Sequence, residues 1–182
     1  LDTYLFRYKG KNAGIQRIYG GQVIAQAYVA ANATIEDDKH LHSLHAYFLR
    51  PGIIKQPVLF SVDPVRNGRS FSTRTVKAIQ NNEVIFTMTV SFQKDEEGFT
   101  HSIEMTKVPA PEEIKDEIEM RKENIDKVPE EIRHYFLKER EYSIKWVEWN
   151  DVFEPKVMPP IRNVWLKPNG IIPEGRETHN AF

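Results

Sequence analysis

Three kinds of apolar pattern follow one another along the chain. Residues 3–8, TYLFRY, are short and aromatic and are followed by KGKNAG, which predicts a strand and then a loop. From Ile18 to Ile35 there is no charged side chain. Val23, Ala27, Ala30 and Ala31 share one helical face, and Ile24, Tyr28 and Ile35 occupy another. A helix that is apolar or small around nearly its whole circumference is expected to be buried on most sides, and its alanines let another surface approach closely. Four extended stretches rich in β-branched and aromatic residues come next: 40–52, 57–68, 69–80 and 83–94. The last alternates cleanly, with Val84, Phe86, Met88, Val90 and Phe92 on one face. Asn81-Asn82 suits a type I′ hairpin, because asparagine tolerates the positive φ of both central positions, and Asn67-Gly68 reads as the preceding turn.

A strand, one long buried helix and an antiparallel meander of four strands curling round it predict an α+β class with the hotdog arrangement. After Lys94 the pattern breaks. Residues 94–141 hold 24 of the 51 charged side chains and read as two exposed helices interrupted at Pro129. This is most simply a solvated connector. Strand-like, tryptophan-bearing sequence then resumes, and VWLKPNG, a loop and THNAF repeat the order of YLFRYKG, its loop and GGQVI. The expected organisation is a first hotdog unit over 1–94, a charged helical connector over 95–142, and the start of a second, truncated hotdog unit over 143–182.

Composition narrows the function. With 182 residues and 40% hydrophobic content, the chain can form one good core. Its 25 basic and 26 acidic residues leave a net charge of -1, which gives no field for steering nucleic acid or anionic membrane, so an anionic ligand must be met locally. Cysteine is absent, which excludes disulfides, thiolate metal sites and a cysteine nucleophile and is compatible with a reducing cytosol. Gln22, Gln26, Asn32 and Thr34 interrupt the uncharged stretch, so it does not read as a membrane span. The chain opens on Leu1 and not on methionine, which reads as a trimmed N-terminus.

The segments RIYGGQVIAQA, LHSLHAYFLRPG, VRNGRSFSTRTVKAIQNNEVIFTMTVSFQ and WLKPNG together resemble the type II acyl-CoA thioesterases, double-hotdog enzymes that hydrolyse acyl-CoA to fatty acid and CoA. The resemblance implies two hotdog units with their sheets side by side and the acyl-CoA site between them. It implies an aspartate that activates water, helped by a hydroxyl (Ser or Thr) and a glutamine, all on the second unit and all beyond Phe182. No cofactor and no metal are implied. In single-unit relatives a carboxylate on the central helix activates water; none lies between Ile18 and Ile35, so the first unit is expected to be catalytically silent.

Candidate substrate-binding residues follow, each with a plainer alternative. Gly20 and Gly21 would leave backbone N–H groups free at the helix N-terminus to hold a thioester carbonyl or its oxyanion; the alternative is tight glycine packing. Gln22 is a donor there or a buried partner. His42 and His45 are three residues apart, on opposite faces of a strand, which disfavours a shared metal; His42 is the candidate to face a substrate tunnel, or else a structural histidine. Arg66 and Arg69 flank a glycine turn and could grip a CoA phosphate, or merely keep the hairpin soluble. The acyl chain would run among Tyr47, Phe48, Phe86 and Met88. GRSFS is not the Gly-x-Ser-x-Gly elbow of serine hydrolases. The competing readings are a non-catalytic acyl-CoA-binding module and a hotdog hydratase or dehydratase of acyl thioesters. Pairing with a second hotdog unit, homo-oligomers and a cytoplasmic location, with the peroxisome as alternative, complete the expectations.

Overall fold

The computed structural model describes residues 3–8 and 17–181. The loop expected over 9–14 lies outside them. The chain divides into two compact units, 1–99 with 173–182, and 100–172.

The first unit contains β1 (Leu5–Tyr8), α1 (Gly20–Asn32), β2 (Lys39–Phe48), β3 (Val58–Asn67), β4 (Phe71–Gln80) and β5 (Glu83–Lys94). Its antiparallel sheet has the order β1-β3-β4-β5-β2. The predicted four-strand meander is therefore corrected: only β3, β4 and β5 follow one another. β2 pairs with β5, with Leu44 opposite Val90 and Phe48 opposite Phe86, and lies at the sheet edge. The physical reason lies in residues 49–57, a nine-residue link whose Pro51-Gly52 and Pro57 turn the chain but which lacks a two-residue hairpin signal such as Asn-Gly; such a link can cross the end of the sheet. Where that signal exists, the turn forms as expected. Asn81 and Asn82 adopt φ of 50° and 61°, joining β4 to β5.

Alternation decides which side of the sheet meets the helix. Val58, Phe60 and Val62 of β3 and Phe86, Met88, Val90 and Phe92 of β5 are buried, and they form one core with Val23, Ala27, Tyr28, Ala30 and Ala31 of α1. The small alanines bring the helix close to this face; Val76 and Ala78 of β4 complete the floor beneath it. Burial of α1 is less complete than its composition predicts, because the sheet covers one side only: Val29 stays 53% exposed. A short terminal helix, α4 (Arg176–Ala181), also belongs to this unit; Ala181 packs on the core, and Asn180 Nδ2 donates to the Tyr28 hydroxyl at 3.4 Å.

The second unit holds α2 (Glu117–Glu123), α3 (Glu130–Phe136) and a hairpin of β6 (Tyr142–Trp146) with β7 (Val164–Pro168). Pro129 stands at the start of α3, so the predicted break between two helices occurs there. A capping box starts α2: Asp116 accepts from Ile118 N, and Glu119 accepts from Asp116 N. Glu117 is held by Arg121 at 2.6 Å and by Arg140 at 3.3 Å, which makes its burial tolerable.

Candidate functional site

The inward face of β4 carries Ser72, Arg74, Val76, Ala78 and Gln80, all buried. Its middle is apolar and both ends are polar. Each polar end serves one end of α1 and makes it a different place.

At the C-terminal end, Arg74 is 2% exposed and points at the last turn of the helix. Its Nε donates to Thr34 Oγ1 at 2.8 Å, and its Nη2 to the Thr34 carbonyl at 2.8 Å and to Asn67 Oδ1 at 2.6 Å. Nη1 donates to the carbonyls of Arg66 and Thr73 at 3.0 Å. All five acceptors are uncharged, and burial pushes the guanidinium pKa down from the ordinary arginine value. The helix C-terminus supplies partial negative charge to offset that cost. This end is closed.

At the N-terminal end lies a cleft of about 550 Å³ lined by Arg17, Ile18, Gly20, Val23, Phe48, Leu49, Arg50, Pro51, Gly52, Ile85 and Phe86. Its wall is a firmly held backbone. Gln80, 5% exposed, accepts from Ile53 N at 2.8 Å and donates to the carbonyls of Ile53 and Gln56 at 2.9 and 3.1 Å. Ile18 N donates to the Gly52 carbonyl at 2.9 Å, and Leu49 N and Arg50 N both donate to the Ile85 carbonyl. A Cβ on Gly52 would stand 3.0 Å from Ile18 Cδ1 and 3.2 Å from Ile85 Cδ1, so the two segments meet closely at this glycine. The helix enters this cleft without a side-chain cap, since Tyr19 at the N-cap offers no acceptor to the first-turn N–H groups.

The predicted residues divide between these two ends. Gly20 and Gly21 stand at the cleft, and both are points of close aromatic approach. A Cβ on Gly20 would lie 3.1 Å from Phe48 Cζ, and one on Gly21 would lie 2.6 Å from Tyr19 Cε1. The rings cover the outward side of the helix, where a side chain would project; the first-turn N–H groups run along the axis and are a separate surface. Gln22 donates its amide to the Tyr8 hydroxyl at 3.1 Å and so ties α1 to β1. His42 sits at an irregularity in the β2–β5 register, with its ring against Phe71 at 5.6 Å and its Nδ1 3.2 Å from Ser43 Oγ. Phe71 pairs with Gln93, seven residues along β5 from Phe86, so His42, Arg66 and Arg69 lie about 20 Å from the cleft. His45 packs against Tyr47. Phe86 and Met88 are core; Phe48 is 57% exposed and leans on Phe86 at 5.1 Å. Sequence reasoning missed Arg17 and Arg50 at the cleft, Gln80 behind its wall and Arg74 at the opposite end of α1. The only signal was a charged or amide residue on the apolar face of a predicted strand, which β4 shows.

A helix laid along a curved antiparallel sheet in this order is a hotdog fold, and solved structures share it. A protein of unknown function with a hot dog fold from Alicyclobacillus acidocaldarius superposes with a TM-score of 0.76 at 21% identity, over 100% of this chain and 64% of that one. An acyl-CoA thioesterase II, TesB2, from Mycobacterium marinum gives a TM-score of 0.72 at 28% identity, over 100% of this chain and 61% of that one. Residues 9–93 match the family described as the acyl-CoA thioesterase N-terminal domain. Acyl-CoA thioesterase 2 of Haemophilus influenzae is 38% identical over 173 residues, 95% of this chain and 60% of that protein. The chain belongs to the acyl-CoA thioesterase II family, and it spans about three fifths of the length of the relatives it matches. Among the described residues no helix is long and apolar enough to cross a membrane.

Proposed function

We propose that the protein to which this chain belongs is an acyl-CoA thioesterase that hydrolyses fatty acyl-CoA to fatty acid and CoA. The observation that carries this reading is the 38% identity to a protein named acyl-CoA thioesterase over 95% of the chain. In this reading the water is activated by an aspartate, a hydroxyl and a glutamine of a second hotdog unit, and the first unit supplies a passive half-site. The uncharged α1 supports that division, since it has no carboxylate to act as a base. The thioester carbonyl meets the uncapped N–H groups at Gly20 and Gly21, and Phe48 and Leu49 face the acyl chain. Arg66 and Arg69, about 20 Å along the sheet, are the candidates for a CoA phosphate, and His42 is the candidate to face the substrate tunnel.

The second unit would pair with the open edge of β2. That strand is ten residues long, with Leu44 and Tyr47 exposed, and an uncovered edge of that length is a template for another strand. We place the protein in the cytoplasm, which a cysteine-free chain tolerates without change. The test is release of CoA from dodecanoyl-CoA followed with a thiol reagent. The intact protein is expected to release it and the chain Leu1–Phe182 is not; turnover by the chain alone would overturn the division of labour.

A further inference from the structure

We propose that the cleft at the N-terminal end of α1 binds a free fatty acid as its carboxylate, with Arg17 as the residue that recognises the charge. The choice of fatty acid rests on the thioesterase reading, because hydrolysis of an acyl thioester leaves this product. The cleft itself specifies an amphipathic anion. Its floor is hydrocarbon from Ile18, Val23, Phe48, Leu49, Ile85 and Phe86, and its charged lining residues are two arginines. These two are not equivalent. Arg50 donates Nη1 to the Val84 carbonyl at 2.8 Å and has Nε 3.5 Å from Glu83 Oε1, so its charge is already matched. Arg17 has no hydrogen bond or ion pair from its side chain among the described residues, and its backbone is fixed by a bridge to Ile53. Among the described residues, the cleft therefore carries one positive charge with no protein partner beside an apolar floor. A carboxylate accepts from a guanidinium in bidentate fashion, and an alkyl chain covers the floor. The volume of about 550 Å³ falls in the range of small-ligand sites and suits one alkyl carboxylate. The wall held by Gln80 and Ile18 makes the site preformed. Product retention at the half-site is the functional consequence, and it slows turnover when fatty acid accumulates.

Calorimetric titration of the chain Leu1–Phe182 with dodecanoate below its micelle concentration tests the proposal, with dodecanol, octanoate and dodecanoyl-CoA as comparison ligands. Dodecanoate is expected to bind about tenfold more tightly than dodecanol, the worth of one charge-assisted hydrogen bond. Octanoate should bind more weakly than dodecanoate, by up to about fourfold for each methylene the floor covers. Arg17→Ala should abolish the preference for dodecanoate over dodecanol and leave dodecanol binding unchanged, and Arg17→Glu should reverse the preference. Because the Arg17 side chain touches no described partner, circular dichroism of both variants should match the parent. Equal binding of acid and alcohol, or an Arg17→Ala variant that keeps its preference, would overturn the proposal. If dodecanoyl-CoA binds in that case, the placement of the acyl half-site at this cleft survives alone; if neither ligand binds, the half-site placement and the fatty-acid site both fall.

Discussion

The two ends of α1 are built from the same helix and the same strand, yet one is sealed and the other is open. At the C-terminal end, Arg74 is 2% exposed and makes five hydrogen bonds to uncharged acceptors. At the N-terminal end, Gln80 performs the matching task on the 53–56 backbone, but it stops at the wall and leaves a cleft beside Arg17, whose side chain has no partner among the described residues. The polar group beneath each end fixes geometry. The difference lies in whether the cation is consumed by the protein or left for a ligand. Stability is concentrated where every donor is satisfied, and recognition where one is not.

Breaking the sealed end should have the largest effect. Arg74→Ala leaves the Thr34 and Asn67 oxygens and two carbonyls without their donor and is expected to cost about 3 kcal/mol, with a fall in melting temperature of about 10 °C. Arg74→Lys, which cannot reproduce the planar fork, should recover only part of it in the same thermal melt. At the open end, Gln80→Leu keeps the volume but strands the Ile53 N–H and two carbonyls, so a urea titration should show a loss of about 2 kcal/mol. The comparison sharpens if this variant also weakens ligand binding at the cleft while Arg74→Lys does not.

The glycine pair provides a smaller contrast. Gly21→Ala requires only that the Tyr19 ring, 72% exposed, swing aside, and the gain in helix propensity should stabilise the protein by about 0.5 kcal/mol in denaturant unfolding. Gly20→Val pushes against a Phe48 ring that already leans on Phe86 and should destabilise by about 1 kcal/mol. The smallest effect belongs to the exposed pair of Asp38 and Lys94 at 2.7 Å. Its hydrogen bond to Lys94 holds the Asp38 carboxyl below its usual 3.8. A carboxyl whose folded value is depressed contributes above its unfolded value and loses that contribution as pH falls through the folded one. Asp38→Asn should therefore leave the melting temperature nearly unchanged at pH 7 and flatten its fall only below about pH 4.

Much of the fold is legible in the residues. Alternation in 86–92, the Asn81-Asn82 turn and the alanine spacing of α1 each act locally, so their outcome can be read from their own neighbours; the alternation expected from Val84 breaks at a register irregularity that buries Ile85 beside Phe86. The position of β2 could not be read in this way, because pairing partners across a long link are chosen by the whole sheet. The candidate site was half legible. Gly20 and Gly21 open α1 beside the cleft, as a glycine-marked helix entrance suggests, whereas Arg66 and Arg69 flank a turn toward the other end of the sheet. Arg17 and Arg50 converge on the cleft from segments 33 residues apart in the chain, a juxtaposition that no local spacing encodes. Arg74 and Gln80 alternate with Val76 and Ala78 on one face of β4, a local sign of burial, but their partners at Thr34 and Ile53 are distant in the chain.

Amide hydrogen exchange with and without dodecanoyl-CoA most directly tests whether ligand recognition is confined to one end of α1. The account predicts added protection in 17–23 and 48–53 and none in 66–74. Protection concentrated in 66–74, or spread evenly along β4 and β5, would contradict it.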